Sequence, residues 1–420
     1  MRVSELYESQ VRKLKRLHRN GACKTELKRE AVHLGELKRL LRHVRSKTRP
    51  QYNQTPASYS PVRTEYPAHM NLPIDDEGFI VSFSLSPDST EVSAVQFYQK
   101  FGFVIFRDIL EPEECNASQC EIWDALEQQY PGLHRSSIPS LSVLTSQTYG
   151  LSSAPAVFTP QMLRNRCNPK LVKVMRLLLG DNDILMSHDR WCFYRPTKSL
   201  GMCETAVDMP EWKTAASLHL DLNPWTFIED KVNVQVQNLY YDNLRDFSKE
   251  MNSVNEVTGP HLQGVLALTD SMENDGGTVL VPGFHHIFSS WVKSLGDMKN
   301  FAQHSDPRRN RLVWRGGGSG SFKFCDSDPI HHLKQRITVR AGSLLLWDQR
   351  LVHGSVPNNS NRFRMAQFIR PFRRKTYDSM RLERRSKVVT AHLESAGKNF
   401  ISSLTTDDKR VLGLHGYLDN

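Results

Sequence analysis

Residues 344–369 read Leu-Leu-Leu-Trp-Asp-Gln-Arg-Leu-Val-His-Gly-Ser-Val-Pro-Asn-Asn-Ser-Asn-Arg-Phe-Arg-Met-Ala-Gln-Phe-Ile. The apolar run Leu344–Trp347 has the composition of a buried strand. His353 follows it, the polar turn Pro357-Asn358-Asn359-Ser360-Asn361 reverses the chain, and a second strand begins near Arg364. A hairpin of this kind returns Arg364 to the neighbourhood of His353. Upstream, His219-Leu220-Asp221 puts an imidazole and a carboxylate at i and i+2, on the same side of a strand. Two imidazoles and one carboxylate on one face of an octahedral ion leave three positions open, the arrangement of non-haem Fe(II) oxygenases. An arginine beside them can grip a second carboxylate with its bidentate fork, which points to 2-oxoglutarate as co-substrate. Singly, His-x-Asp recurs by chance, His353 reads as a loop histidine and Arg364 as a solvated strand charge. The signal lies in the order and spacing of all four.

Outward from this hairpin, residues 180–375 alternate short apolar runs with Gly, Pro and Asn turns. Ile184–Met186, Trp191–Tyr194, Val232–Val236, Val265–Leu268, Thr278–Val281, Leu344–Trp347 and Met365–Ile369 are the predicted strands. Many short strands of this kind predict a sandwich or jelly roll. Ahead of them a helix leads into the strand Gly102–Arg107, and Pro112-Glu113-Glu114 opens another helix.

The chain has 420 residues, and single cores seldom exceed roughly 250–300. One large domain plus a small one is therefore expected. No run approaches the ~20 apolar residues of a membrane span, and the basic N-terminus lacks the apolar centre of a secretory signal. Seven scattered cysteines without Cys-x-x-Cys spacing fit a reducing compartment, and a cytoplasmic location is expected. The last residues, Tyr417-Leu418-Asp419-Asn420, are no Ser-Lys-Leu address. The formal charge of +10 is carried wholly by residues 1–50, and the rest of the chain is neutral. Such asymmetry suggests a polyanion-binding arm on a neutral body.

Residues 1–50 show two apolar stripes, Val3, Leu6, Tyr7, Val11, Leu14, Leu17 and then Leu27, Ala31, Leu34, Leu37, Leu41, Val44, separated by Asn20-Gly21. Their spacing predicts a helical hairpin, with Arg12, Lys15, Arg16 and Arg19 on one exposed face. From Gln10-Val11-Arg12-Lys13-Leu14-Lys15 to Pro50-Gln51-Tyr52 this segment resembles the WHEP domain of several aminoacyl-tRNA synthetases. The resemblance implies binding of tRNA or of an aminoacyl-tRNA synthetase complex. The other readings are a solvated hairpin and a mitochondrial transit peptide, the latter opposed by five acidic residues. Residues 51–87 are Pro-rich and read as a linker, 88–375 as the catalytic domain and 376–420 as a C-terminal helical extension.

A second resemblance, to the phytanoyl-CoA dioxygenase family, spans roughly residues 88–375. It is carried by Gly102-Phe103-Val104, Leu110-Glu111-Pro112-Glu113-Glu114, His219-Leu220-Asp221, Leu266–Asp270, Asp275-Gly276-Gly277, Val281–His285 and Trp347-Asp348 through His353-Gly354-Ser355 to Arg364. Phe284 stands where the family usually has serine, and 287–335 is longer than usual. The resemblance implies an α+β fold, a double-stranded β-helix (jelly roll) with flanking helices. Fe(II) would be held by His219, Asp221 and His353, and 2-oxoglutarate by Arg364 with Ser355 assisting. Decarboxylation to succinate would be coupled to hydroxylation of a substrate C–H bond. An acyl thioester, a small metabolite and a modified nucleotide are all admitted as substrates. The alternative is a non-catalytic RNA- or complex-tethering protein that uses the jelly roll as scaffold.

Lesser candidates remain. Arg362 shares a strand face with Arg364 and is the alternative cosubstrate clamp. His285-His286 and His331-His332 read as turn and surface groups, Gly316-Gly317-Gly318-Ser319-Gly320-Ser321 as a loop at the site entrance, and Arg190, Tyr194 and Trp225 as pocket or core residues.

Overall fold

The computed structural model describes residue 13 and residues 66–85, 90–144, 151–152, 157–202, 205–228, 239–242, 244–250, 261–298, 311–314, 320–395 and 398–414. The chain divides into two compact units, Met1–Pro61 and Val62–Asn420. The hairpin expected over residues 1–50 lies outside the described residues apart from Lys13, as do the strand expected at Val232–Val236 and residues 316–319 of the loop expected over 316–321, whose Gly320 and Ser321 instead begin a strand.

In chain order the described strands are β1 (Phe103–Phe106), β2 (Leu151–Ser152), β3 (Ile184–Met186), β4 (Trp191–Tyr194), β5 (Leu200–Met202), β6 (Thr205–Val207), β7 (Ser217–Leu220), β8 (Leu262–Ala267), β9 (Gly277–Leu280), β10 (Arg311–Trp314), β11 (Gly320–Lys323), β12 (Gln335–Arg336), β13 (Leu344–Asp348), β14 (His353–Val356), β15 (Arg364–Ile369) and β16 (Pro371–Arg373). Twelve of them make two six-stranded sheets, β1-β13-β8-β15-β4-β2 and β10-β11-β7-β14-β9-β12. Neighbouring strands are antiparallel throughout, as in the pairs β13/β8, β15/β8 and β14/β7. The sheets and their flanking helices agree with the sandwich expected from short, turn-divided strands. Among the described residues no helix is long and apolar enough to cross a membrane.

One apolar core joins the two sheets. Leu266, Leu344, Leu346 and Ala366 come from the first; Leu218, Leu220, Leu280 and Phe322 come from the second, and all are buried. Alternation along the strands puts Val265, Ala267, Leu345 and Ala366 on the face of the first sheet that bears Arg364, and Leu280 on the face of the second that bears His219 and His353, while Leu266, Leu344, Leu346, Leu218, Leu220 and Phe322 face the other way. The helix Thr90–Phe101 and β1 follow one another as predicted, and the helix Pro112–Gln129 begins at the expected proline. Glu114 accepts the backbone N–H of Glu111, a reach-back bond that relieves one of the unsatisfied donors of the helix start.

One region departs from the expected layout. Residues 66–85, read as part of the linker, lie against the sandwich: Tyr66 donates to Asp328 at 2.8 Å, Met70 O accepts from Gln335, and Phe83 bridges to Phe106. Extended proline-spaced backbone has no helical hydrogen bonds of its own, so it is free to pair edge-on. The C-terminal segment carries the helices Ser379–Ser395, Lys398–Ser403 and Thr406–Leu412. Arg385, fully buried on the first of them, ties that segment to the body by donating to Glu250 and Met186 O, and ties its own helices together by donating to Leu412 O.

The tightest backbone approach lies between β14 and β7. A Cβ on Gly354 would sit 1.7 Å from Ser217 O, which only strand separation could relieve. Gly354→Ala is expected to cost at least about 3 kcal/mol in a denaturation experiment, the upper range for overpacking a rigid interior. Gly201→Ala, where a Cβ meets nothing within 4 Å, is the control expected to leave the midpoint unchanged.

Candidate active site

His219 and His353 are direct partners in the β7/β14 ladder, so the register alone brings two imidazoles from distant sequence into one place. Their ring centroids are 4.5 Å apart. Asp221 follows the end of β7 and turns its carboxylate to both rings, with Oδ1 3.4 Å from His219 Nε2 and Oδ2 3.5 Å from His353 Nε2. Ligand atoms of the three residues all lie within 4.8 Å of one another. Two nitrogens and one oxygen at such separations are a facial donor set for one ion.

The surrounding hydrogen bonds fix these donors. His353 Nδ1 is 3.0 Å from Leu351 O, so it carries the proton and leaves the Nε2 lone pair directed at the site. Gln263 on β8 donates to Asp221 Oδ2 at 3.0 Å, and Gln349 donates to the Asp221 carbonyl. Burial opposes ionisation of Asp221, but His219 and then His353 outweigh it and hold the carboxyl well below the usual range. Burial lowers the His219 pKa, with Asp221 opposing. A charged carboxylate and a neutral imidazole are the protonation states that metal coordination requires.

Arg364, at the start of β15, is buried in the opposite sheet. Its Nη1 donates to Cys192 Sγ at 3.2 Å, and its guanidinium lies 5.1 Å from the centre of the Tyr194 ring. It has no acidic partner among the described residues, and its Nε is buried without a hydrogen bond. A desolvated guanidinium with a free edge is a carboxylate receptor. Gly277 (φ +108°) makes room for it, since a Cβ there would meet Arg364 Nε at 2.8 Å. Ser355 and Tyr194 sit at the same end, where burial pushes the phenol up to about 12 while Arg364 and Ser355 pull the other way.

A cavity of about 100 Å³ connects Arg364, Ser355 and Tyr194 to His219, Asp221 and His353, and is lined also by Trp347, Val265 and Phe368. The donor set fits Fe(II), and the orphaned Arg364 fits the far carboxylate of 2-oxoglutarate.

Arg362 is engaged elsewhere and does not line the cavity. It stands in the turn before β15 and makes a bidentate pair with the fully buried Asp275, at 3.0 and 2.7 Å. The alternation that would have set it beside Arg364 begins only where the strand does. His285 and His286 open the helix Phe284–Ser294 and accept or donate at Gln99 O and Lys100 O, closing the end of the helix Thr90–Phe101. His331 and His332 sit in a short 3-10 turn. Trp225 is buried with its Nε1 on Gly296 O. Arg190 and Tyr194 do line the cavity. Sequence reasoning passed over Gln263, Trp347 and Arg370. Arg370 was within reach, because 364, 366, 368 and 370 share one face of an extended chain.

Residues 245–366 match the family model of phytanoyl-CoA dioxygenase (PhyH). A Dictyostelium discoideum protein bearing the same family's name is 31% identical over 367 residues, covering 82% of this chain and 97% of that one. The chain belongs to the phytanoyl-CoA dioxygenase family. Solved structures are more distant from this family member. They include GIG2 of Candida albicans (14% identity, 77% of this chain and 76% of that one, TM-score 0.48) and EctD of S. alaskensis with 2-oxoglutarate and 5-hydroxyectoine (16%, 74% and 84%, TM-score 0.38). The epimerase SnoN, in complex with Fe3+, alpha ketoglutarate and a nogalamycin compound, gives 15%, 67% and 83%, with TM-score 0.38. Likenesses of that size carry no functional weight.

Loss of the outer partner tests the site before any chemistry does. Gln263→Leu is expected to weaken Co(II) or Fe(II) binding about 10-fold, in the range found for partners behind metal ligands, and Asp221→Ala to abolish it. Metal retained after dialysis and the visible Co(II) spectrum report both; unchanged affinity in Asp221→Ala would remove the donor set.

Proposed function

We propose that this protein is an Fe(II)- and 2-oxoglutarate-dependent dioxygenase that hydroxylates a small molecule, on a double-stranded β-helix. The single observation that carries the reading is the convergence of His219, Asp221 and His353 across one cavity from a buried arginine without an acidic partner among the described residues. Bound Fe(II), with 2-oxoglutarate and oxygen, supplies oxidation of an unactivated C–H bond with release of succinate and carbon dioxide.

The chain's own residues orient and enclose that chemistry. His219, Asp221 and His353 would hold the iron, whose remaining positions would take cosubstrate and oxygen. Arg364 takes the far carboxylate in a desolvated setting, where a charge-assisted pair is strong, and Ser355 lies beside it. Leu351 O and Gln263 keep His353 and Asp221 in their binding orientations. Trp347, whose ring lies 5.4 Å from His353, and Phe368 exclude bulk water from the reacting centre.

Succinate formation from 2-oxoglutarate is the direct assay. Arg364→Gln is expected to raise the KM for 2-oxoglutarate roughly 10- to 100-fold, the weight of one buried charge-assisted pair, with Arg364→Lys intermediate. Succinate formation unaffected by Asp221→Ala would overturn the reading and favour the non-catalytic scaffold.

The +10 charge confined to residues 1–50 favours one addition, a basic WHEP-like arm that binds tRNA or another polyanion. Binding of total tRNA is expected to fall steeply with salt and to vanish when residues 1–50 are deleted. Binding that persists in the deletion would assign it elsewhere.

A further inference from the structure

We infer that Arg370 is the anchor for a carboxylate on the substrate, so that the substrate class is a small organic acid bound by its anionic end beside the metal. The inference rests on the oxygenase reading above and adds the chemistry of the molecule it acts on.

Arg370 follows β15 directly and lines the same cavity as the metal donors. Only 4% of it is exposed. Its backbone is held on both sides by Ser187, through Arg370 N to Ser187 Oγ at 3.1 Å and Ser187 N to Arg370 O at 2.9 Å. Its guanidinium makes no hydrogen bond to any described residue, and Nη2 is fully buried without one. The ring of Phe372, 6.0 Å away, packs against its carbon without satisfying its nitrogens. Leaving such a donor set dry and unpaired is costly, and proteins keep it where an anion arrives.

The nearby acids are already engaged. Asp189 accepts from Arg190, at 2.7 Å from its backbone and 3.2 Å from its Nε. Asp221 faces His219, His353 and Gln263. Neither forms an ion pair with Arg370.

Position separates Arg370 from the cosubstrate clamp. The β15/β8 register ends at Ile369↔Gly264, so Arg370 stands one step further, level with Gln263, the residue that holds Asp221. Arg364 lies six residues back along the strand, about 20 Å at the usual rise. The two arginines therefore flank the donor set, one toward Ser355 and one toward Asp221. A cavity of about 100 Å³ that must also hold 2-oxoglutarate leaves little room, which favours a planar carboxylate matched to the guanidinium fork over a bulky headgroup. A substrate whose charge lies far from the reacting carbon, such as a long acyl thioester, would leave Arg370 unpaired.

The test uses the full chain loaded with Mn(II) and saturating 2-oxoglutarate, which occupies Arg364. Acetate, butyrate and hexanoate are each titrated against the matching carboxamide, and Mn(II)-induced relaxation of ligand protons reports proximity to the metal. At least one acid is expected to bind tenfold or more tighter than its amide, with its protons relaxed. Arg370→Gln should erase that preference while leaving 2-oxoglutarate affinity unchanged. Arg370→Lys keeps the charge without the fork, should retain a reduced preference, and serves if the glutamine variant does not fold. Equal binding of acid and amide, no binding of any acid, or a preference that survives Arg370→Gln would overturn the assignment. Failure of 2-oxoglutarate itself to bind the Mn(II) protein would instead strike the oxygenase reading.

Discussion

The antiparallel pairing of Ser217–Leu220 with His353–Val356 is the constraint on which the rest depends. A ladder of main-chain hydrogen bonds sets His219 opposite His353, and the missing side chain at Gly354 lets the two backbones close to that distance. Shift the register by one residue and the two imidazoles point to opposite faces. The site is therefore specified by backbone geometry first, with side-chain chemistry filling positions that the ladder has already defined.

Much of this could be read from the chain, and the reasons are local. His219-Leu220-Asp221 is a two-residue period, so a strand alone decides that its two donors share a side. The turn Pro357–Asn361 forecasts the reversal that returns Arg364. What escaped was cross-sheet register. Gln263 belongs to a strand with no polar signature among its neighbours, and only its pairing with Trp347 on β13 brings it under Asp221. Arg362 and Arg364 look equivalent in sequence, yet the strand begins between them, and one is spent on Asp275. The proline spacing of residues 51–87 signalled extended backbone without revealing that 66–85 would be recruited to the sandwich.

The cavity is also organised by charge. Asp221 is the one carboxylate that the metal donors share, and it stands between two buried arginines that no acidic side chain among the described residues satisfies. An interior of this kind is electrostatically incomplete. Its positive ends are poised for incoming anions, while its negative centre is poised for a cation. Binding any one of the three ligands changes the field felt by the others, so metal, cosubstrate and substrate affinities are expected to be thermodynamically linked.

Gly277 carries a further consequence. Its backbone lies in a conformation that L side chains rarely adopt, and the space where a Cβ would project is filled by the Arg364 guanidinium. The same turn is secured from the other side by Asp275 under Arg362. The place of the Arg364 guanidinium is thus tied to a turn in the opposite sheet: no single substitution at 277 is neutral while arginine occupies 364. Any side chain placed at 277 would have to be matched by a smaller residue at 364, so the two positions can change only as a pair.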